Sequence, residues 1–91
     1  MENNFQKLDI KVNVLKNQDP VKALVLLIID DVLVVRSIRI IKKNDDYIVA
    51  MPCFKTQDTV KNYVYCRNKE LQKKLEDRIL TEYMLALKGD I

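Results

Sequence analysis

Lys55 and Thr56 stand three and four residues after Pro52, and a cation beside a hydroxyl on a loop is a pair suited to holding phosphate oxygens. Proline has no backbone N–H and ends an inner ladder, so the strand before Pro52 must leave its sheet there and deliver Lys55 to a polar loop. A second set of cations, Arg67, Lys69, Lys73 and Lys74, crowds a predicted helix start, where positive charge opposes the helix dipole. Tolerating that penalty points to another use for the charge. Lys74 and Arg78 lie one turn apart and can bridge two phosphates, while Glu76 and Asp77 between them also fit ordinary helix-surface pairing. Phe54, Tyr63 and Tyr65 lie among these cations, where they can either stack on unpaired bases or pack in a core or dimer contact. Tyr63 and Tyr65 share one strand face if the stretch is extended. Lys42, Lys43 and Lys61 have a plainer reading as turn and edge-strand lysines that discourage sheet-to-sheet aggregation.

Catalysis finds little to work with. The chain has no histidine, one serine (Ser37) and one glycine (Gly89), so neither a Ser-His triad nor a glycine-rich phosphate loop is available. The paired carboxylates Asp30-Asp31 and Asp45-Asp46 sit between strand-like runs and read as solvated turns rather than as an acid/base pair. Cys53 and Cys66 cannot make a four-ligand zinc site without histidine and read as packing residues. The expectation is a protein that is not an enzyme, with no cofactor, metal or small-molecule substrate.

The net charge of +3 is unevenly spread. Residues 36–74 hold ten Lys or Arg against four Asp or Glu, a regional +6 that leaves −3 elsewhere. Such a region draws a polyanion at low salt, though many domains carry one for solvation. The first residues lack a basic start and an apolar signal region, and the longest apolar run, Ala23 to Ile29, is far below the roughly 20 residues of a spanning helix. A cytoplasmic protein without a membrane partner is expected.

The elements that position these side chains follow from periodicity. Leu8, Ile10, Val12 and Val14 alternate with Asp9, Lys11 and Asn13, a strand with one wet face. Val21 to Ile29 is apolar on both parities and predicts a central strand covered on both sides. Asp30-Asp31 turns the chain into a strand from Val32 to Lys42, on which strict alternation sends Arg36 and Arg39 to opposite faces. A fourth strand runs from Tyr47 to Met51, Pro52 to Thr59 is a loop, and Val60 to Cys66 is an edge strand or irregular. From Asn68 the period changes: Leu71, Leu75, Ile79 and Tyr83 repeat every fourth residue, with Asn68 as N-cap and Gly89 as stop. The whole of 1–91 is then one α+β domain, an antiparallel β-meander of four to five strands (about 8–66) followed by one C-terminal amphipathic helix (about 68–87). One helix cannot cover both sheet faces, so a homodimer is expected.

Ile38-Arg39-Ile40-Ile41, a short turn, then Ala50-Met51-Pro52 with Lys55-Thr56 following resembles the sporulation stage V protein G family of bacterial septation and regulatory proteins. That family's hallmark is an Ile-Arg-Val-Ile strand, a turn, and Ala-Met-Pro followed by basic residues and Thr. The similarity runs from Asp9 to Pro52 and resumes at Asn68 through Leu80-Thr81-Glu82-Tyr83. The chain departs from it at Cys53-Phe54-Lys55, where the family has two basic residues, and at Asn62 to Arg67, where the family has Asp-Ile-x-His-Pro-Ile. In the helix Lys74 matches a basic family position, and Gln72 stands where an arginine is common. The resemblance implies a homodimeric regulator of bacterial gene expression, associated with septation and sporulation, that binds DNA and also RNA, with Lys55, Thr56 and Lys74 as the matching positions; Arg67, Lys69 and Lys73 join the expected nucleic-acid contacts from the charge at the helix start. The alternative is a protein-interaction module of the same fold with an acidic protein partner.

Overall fold

The computed structural model describes residues 7–89. Four strands, β1 (Leu8–Val14), β2 (Val21–Ile29), β3 (Leu33–Lys43) and β4 (Asp46–Ala50), form one antiparallel sheet in chain order. After it come a separate two-stranded hairpin, β5 (Cys53–Lys55) with β6 (Val60–Asn62), and one long helix, α1 (Lys69–Gly89). This is the α+β meander-plus-helix arrangement that the periodicity predicts.

Each connection is made by residues able to make it. Asp30 and Asp31 both take positive φ, 53° and 58°, and Val32 N–H donates to the Ile29 carbonyl, the signature of a type I′ turn. The Lys7 N–H donates to Asp30 Oδ1 and the Lys7 ammonium pairs with Asp31, tying the start of β1 to this turn. These carboxylates are therefore turn builders. Between β3 and β4 only Asn44 and Asp45 remain outside the strands, with Asn44 at φ 57°, a tighter turn than the sequence indicates.

The inner face of the sheet is the core. Ala23, Val25 and Leu27 of β2, Val35, Ile38 and Ile40 of β3, and Val49 of β4 are buried against Leu75, Ile79 and Tyr83 of α1. Fully burying one such large side chain is worth about 1.5–3 kcal/mol. Tyr83 meets Tyr47 with ring centroids 5.4 Å apart. The helix starts at a true cap, since Asn68 Oδ1 accepts from the Glu70 and Leu71 N–H groups at 2.9 and 3.1 Å. Gly89 is the last helical residue rather than a left-handed stop beyond it.

Two expectations are corrected. The stretch from Val60 to Cys66 is not one strand: β6 ends at Asn62 and pairs only with β5, inside what alternation leaves as a loop. Pro52, itself buried, sends the chain out of the main sheet, and its carbonyl accepts from the Tyr63 N–H to close the small hairpin. Arg36 and Arg39 do not lie on opposite faces. Val25 pairs with Ile38 and Leu27 with Val35, so two residues, Arg36 and Ser37, stand opposite Leu26. Ser37 takes φ 69°, and this β-bulge reverses the parity, putting both guanidiniums on the outer face. Among the described residues the outer side of β2 is only partly covered, as expected where one helix packs on one face: Leu24 is exposed, and Leu26 and Ile28 are half-buried.

Candidate functional site

The outer face of the sheet is legible from register. Across the strands it carries Asp9, Ile28 and Val34 in its first row, then Lys11, Leu26 and the Arg36–Ser37 bulge, then Asn13, Leu24, Arg39 and Ala50, then Ile41 and Ile48. Arg39 is half-buried, and its Nη2 donates weakly to Cys53 Sγ at 3.7 Å, so the β5–β6 hairpin begins beside this face. Lys55, exposed at the end of β5, joins Arg39, Leu24, Ser37, Cys53 and Tyr63 around a cavity of about 400 Å³. A neighbouring cavity of about 470 Å³ shares Leu24 and Ser37 with it and adds Lys11, Asn13, Leu26 and Arg36. Among the described residues no carboxylate lines either cavity.

Lys55 thus shares a cavity with a second cation, Arg39, and such a pair is able to hold an anionic oxygen. Thr56 is held otherwise. Its hydroxyl donates to the Thr59 carbonyl at 3.3 Å and accepts from the Thr59 N–H at 3.2 Å, closing the turn that carries Lys55. Its donor is engaged inside the turn, so its part is to shape the loop. Phe54 and Tyr63 stack across the hairpin with centroids 6.3 Å apart, both about half exposed.

The helix cations lie elsewhere and divide among themselves. At about 100° per residue, Lys69 and Lys73 share one flank of α1 while Lys74 falls on the other, one turn before Arg78. Lys69 and Lys73 border a cleft of about 400 Å³ with Asn62, Tyr65, Gln72 and Glu76. The cleft's carboxylate is partly engaged, since Gln72 Nε2 donates to Glu76 Oε2 at 2.8 Å, and Gln72 Oε1 in turn accepts from the Cys66 N–H. Burial, then the Glu76 charge, pushes the Cys66 thiol above its ordinary pKa, so it stays protonated and packs as an apolar group. Arg78 on the opposite flank reaches the Leu8 carbonyl of β1 at 3.5 Å. Arg67 borders an apolar cleft of about 390 Å³ between Leu27, Met51 and Leu71. Tyr63 and Tyr65, expected on one face, diverge: the first lines the outer-face cavity, the second the helix-side clefts.

The six residues singled out in the sequence therefore do not form one site. Lys55 belongs to the outer face, Lys69, Lys73 and Arg67 to clefts beside the helix, and Lys74 to the β1 side. Lys11, Arg36 and Arg39 escaped notice as site residues because their convergence depends on the bulge. The usable signal was the exposed polar pair Arg36-Ser37 interrupting an otherwise apolar alternation.

A four-stranded meander closed on one face by a single helix and open on the other defines a small α+β protein that displays its cations on a sheet rather than in an enclosed pocket. No helix among the described residues is long and apolar enough to cross a membrane. The chain belongs to the SpoVG family, whose sequence pattern matches residues 5–85. It is similar to the SpoVG protein of Anaeromyxobacter sp. strain Fw109-5, at 35% identity over 74% of this chain and 70% of that protein. The SpoVG proteins of Exiguobacterium sibiricum (31% identity over 85% of this chain and 76% of the relative) and Staphylococcus carnosus (28%, over 82% and 71%) are also similar. All three relatives carry names that refer to septation.

Proposed function

We propose that this protein is a cytoplasmic nucleic-acid-binding regulator that acts without catalysis, in septation and sporulation as its relatives' names and its family's indicate. DNA is the primary ligand and RNA a second one. The observation that carries the reading is the pairing of Lys55 with Arg39 around a cavity that no carboxylate among the described residues lines, next to the exposed Phe54–Tyr63 stack. Two cations without a neutralising partner favour phosphate, and exposed rings offer a stacking surface. Arg67, Lys69, Lys73 and Lys74 supply further backbone contacts from the helix side. The working unit is a homodimer, in which a second copy covers apolar side chains left exposed at the ends of the outer face, Val34 and Ile48 among them. Doubling the contacts in this way raises affinity without new chemistry.

Titrating labelled DNA and RNA with the parent and with the Lys55→Glu, Lys74→Glu double variant, at two salt concentrations, tests this. The parent binds, more weakly at high salt, and the double variant loses affinity similarly across sequences with a flatter salt dependence. Equal affinities would remove these residues from the interface. Binding only to an acidic protein, with no competition by nucleic acid, would establish the protein-interaction alternative.

A further inference from the structure

We infer that the outer sheet face carries a cationic band, Lys11, Arg36, Arg39 and Lys55, that takes the sugar–phosphate backbone of a single nucleic-acid strand laid across the strands of the sheet. The inference rests on the nucleic-acid reading above and names the form of the ligand and its path. The two cavities on this face adjoin, with Leu24 and Ser37 lining both, so the four cations border a trough of two neighbouring hollows from β1 to the β5–β6 hairpin. Strands lie about 5 Å apart and alternate residues about 7 Å apart along a strand, so the band crosses the sheet obliquely as a track rather than a point. The acidic residues of the face stand outside it. Asp9 lies in the end row, where its charge acts on Lys7, and Asp46 lies at the far end, opposite Lys43. Among the described residues none of the four cations is held in an ion pair.

Two features select a single strand over a duplex and over a second copy of the chain. The floor of the trough is apolar, Leu24 and Leu26, and at its hairpin end stands the exposed Tyr63 ring. A single strand presents phosphates and base faces together and can satisfy both, whereas a duplex presents phosphates and leaves the apolar floor uncovered. A second copy laid face to face about a two-fold axis would set one cationic band against another, a like-charge arrangement that disfavours that pairing.

The test compares the parent, a Lys11→Gln, Arg36→Gln double variant and a Lys69→Gln, Lys73→Gln double variant. The ligands are labelled oligothymidylate and oligouridylate of about 12 nucleotides and a duplex of the same length. Lys11 and Arg36 are exposed, so the first variant keeps its fold, which circular dichroism verifies. The expected result is tighter binding of both single strands than of duplex, with DNA and RNA within about three-fold because the band reads phosphate rather than the 2′-hydroxyl. The Lys11→Gln, Arg36→Gln variant should lose about ten-fold or more and lower the slope of log K against log salt by about 1.4, two charges at about 0.7 each. The helix variant should lose less. Binding by the parent that is as tight for duplex, or that is unchanged in the Lys11→Gln, Arg36→Gln variant, overturns the band while leaving nucleic-acid binding intact. Unchanged strand affinity together with tighter self-association of that variant assigns the face to a second copy. Failure of the parent to bind any nucleic acid overturns both readings.

Discussion

Arg39 is held by little besides its own stem. A guanidinium donating to a thiol at 3.7 Å keeps most of its hydrogen-bonding capacity, and the neighbouring Lys55 repels rather than satisfies it. Arg39→Met, which keeps the stem and removes the charge, should leave the denaturation midpoint nearly unchanged and weaken nucleic-acid binding several-fold. A large loss of stability with unchanged binding would make Arg39 a packing residue. Tyr83 carries the clearest pH dependence. Burial, with Tyr47 second, raises the Tyr83 hydroxyl above its ordinary value of 10.0, so the native state keeps a proton that the unfolded chain releases. Its contribution to stability is therefore complete below pH 10 and is lost as pH rises through the raised value. Cys66, raised from 9.0 chiefly by burial, adds a slope of the same sign that begins at lower pH. Urea midpoints measured from pH 8 upward should decline, and Tyr83→Phe should flatten the upper part of that decline. An identical slope in the variant would remove Tyr83 as its source.

Among the elements, the helix was the most legible and the third strand the least. The four-residue spacing of Leu71, Leu75, Ile79 and Tyr83 predicts a stripe, and Leu75, Ile79 and Tyr83 are buried as that stripe requires. Leu75→Asp places a carboxylate without a partner in this core and should cost on the order of 3 kcal/mol or more, read as unfolding by circular dichroism. Melting within a few degrees of the parent would contradict the docked helix. The strand β3 misleads because alternation carries no mark for an inserted residue: one bulge at Ser37 reverses the face of everything beyond it, and so the meeting of Arg36 with Arg39 was hidden. The β5–β6 hairpin was missed for a related reason. Three-residue strands are too short to show a period, and Pro52 announces only that the main sheet ends. Ser37 at φ 69° is held by its neighbours against the preference of an L-residue, so Ser37→Gly should preserve or modestly raise stability. Ser37→Val, with a branched Cβ in the same conformation, should lower it by about 1 kcal/mol or more. Equal melting of the two variants would mean that the bulge is not formed in solution.

The molecule as a whole is a slab, 41 × 37 × 23 Å, with a helix layer on one side of the sheet and, among the described residues, only the β5–β6 hairpin at the edge of the other. Val32, Leu33, Val34 and Ile48 are large apolar side chains left exposed, Val32 to Val34 beside the β2–β3 turn and Ile48 on β4. Val34 and Ile48 lie on the outer face at either end of the cationic band rather than in it, so a second copy can cover apolar surface at an end of the sheet without pressing band on band. A stable pair buries about 800 Å² on each partner, so such a contact would take in neighbouring surface besides these side chains. Sedimentation at micromolar concentration should accordingly give twice the chain mass of 10.7 kDa. Val34→Asp and Ile48→Asp, each placed on an exposed strand position where the monomer's fold has little at stake, separate the two ends. The one that shifts the protein to a folded monomer identifies the end that pairs. If the parent itself sediments as a folded monomer, the open face is covered by no second copy.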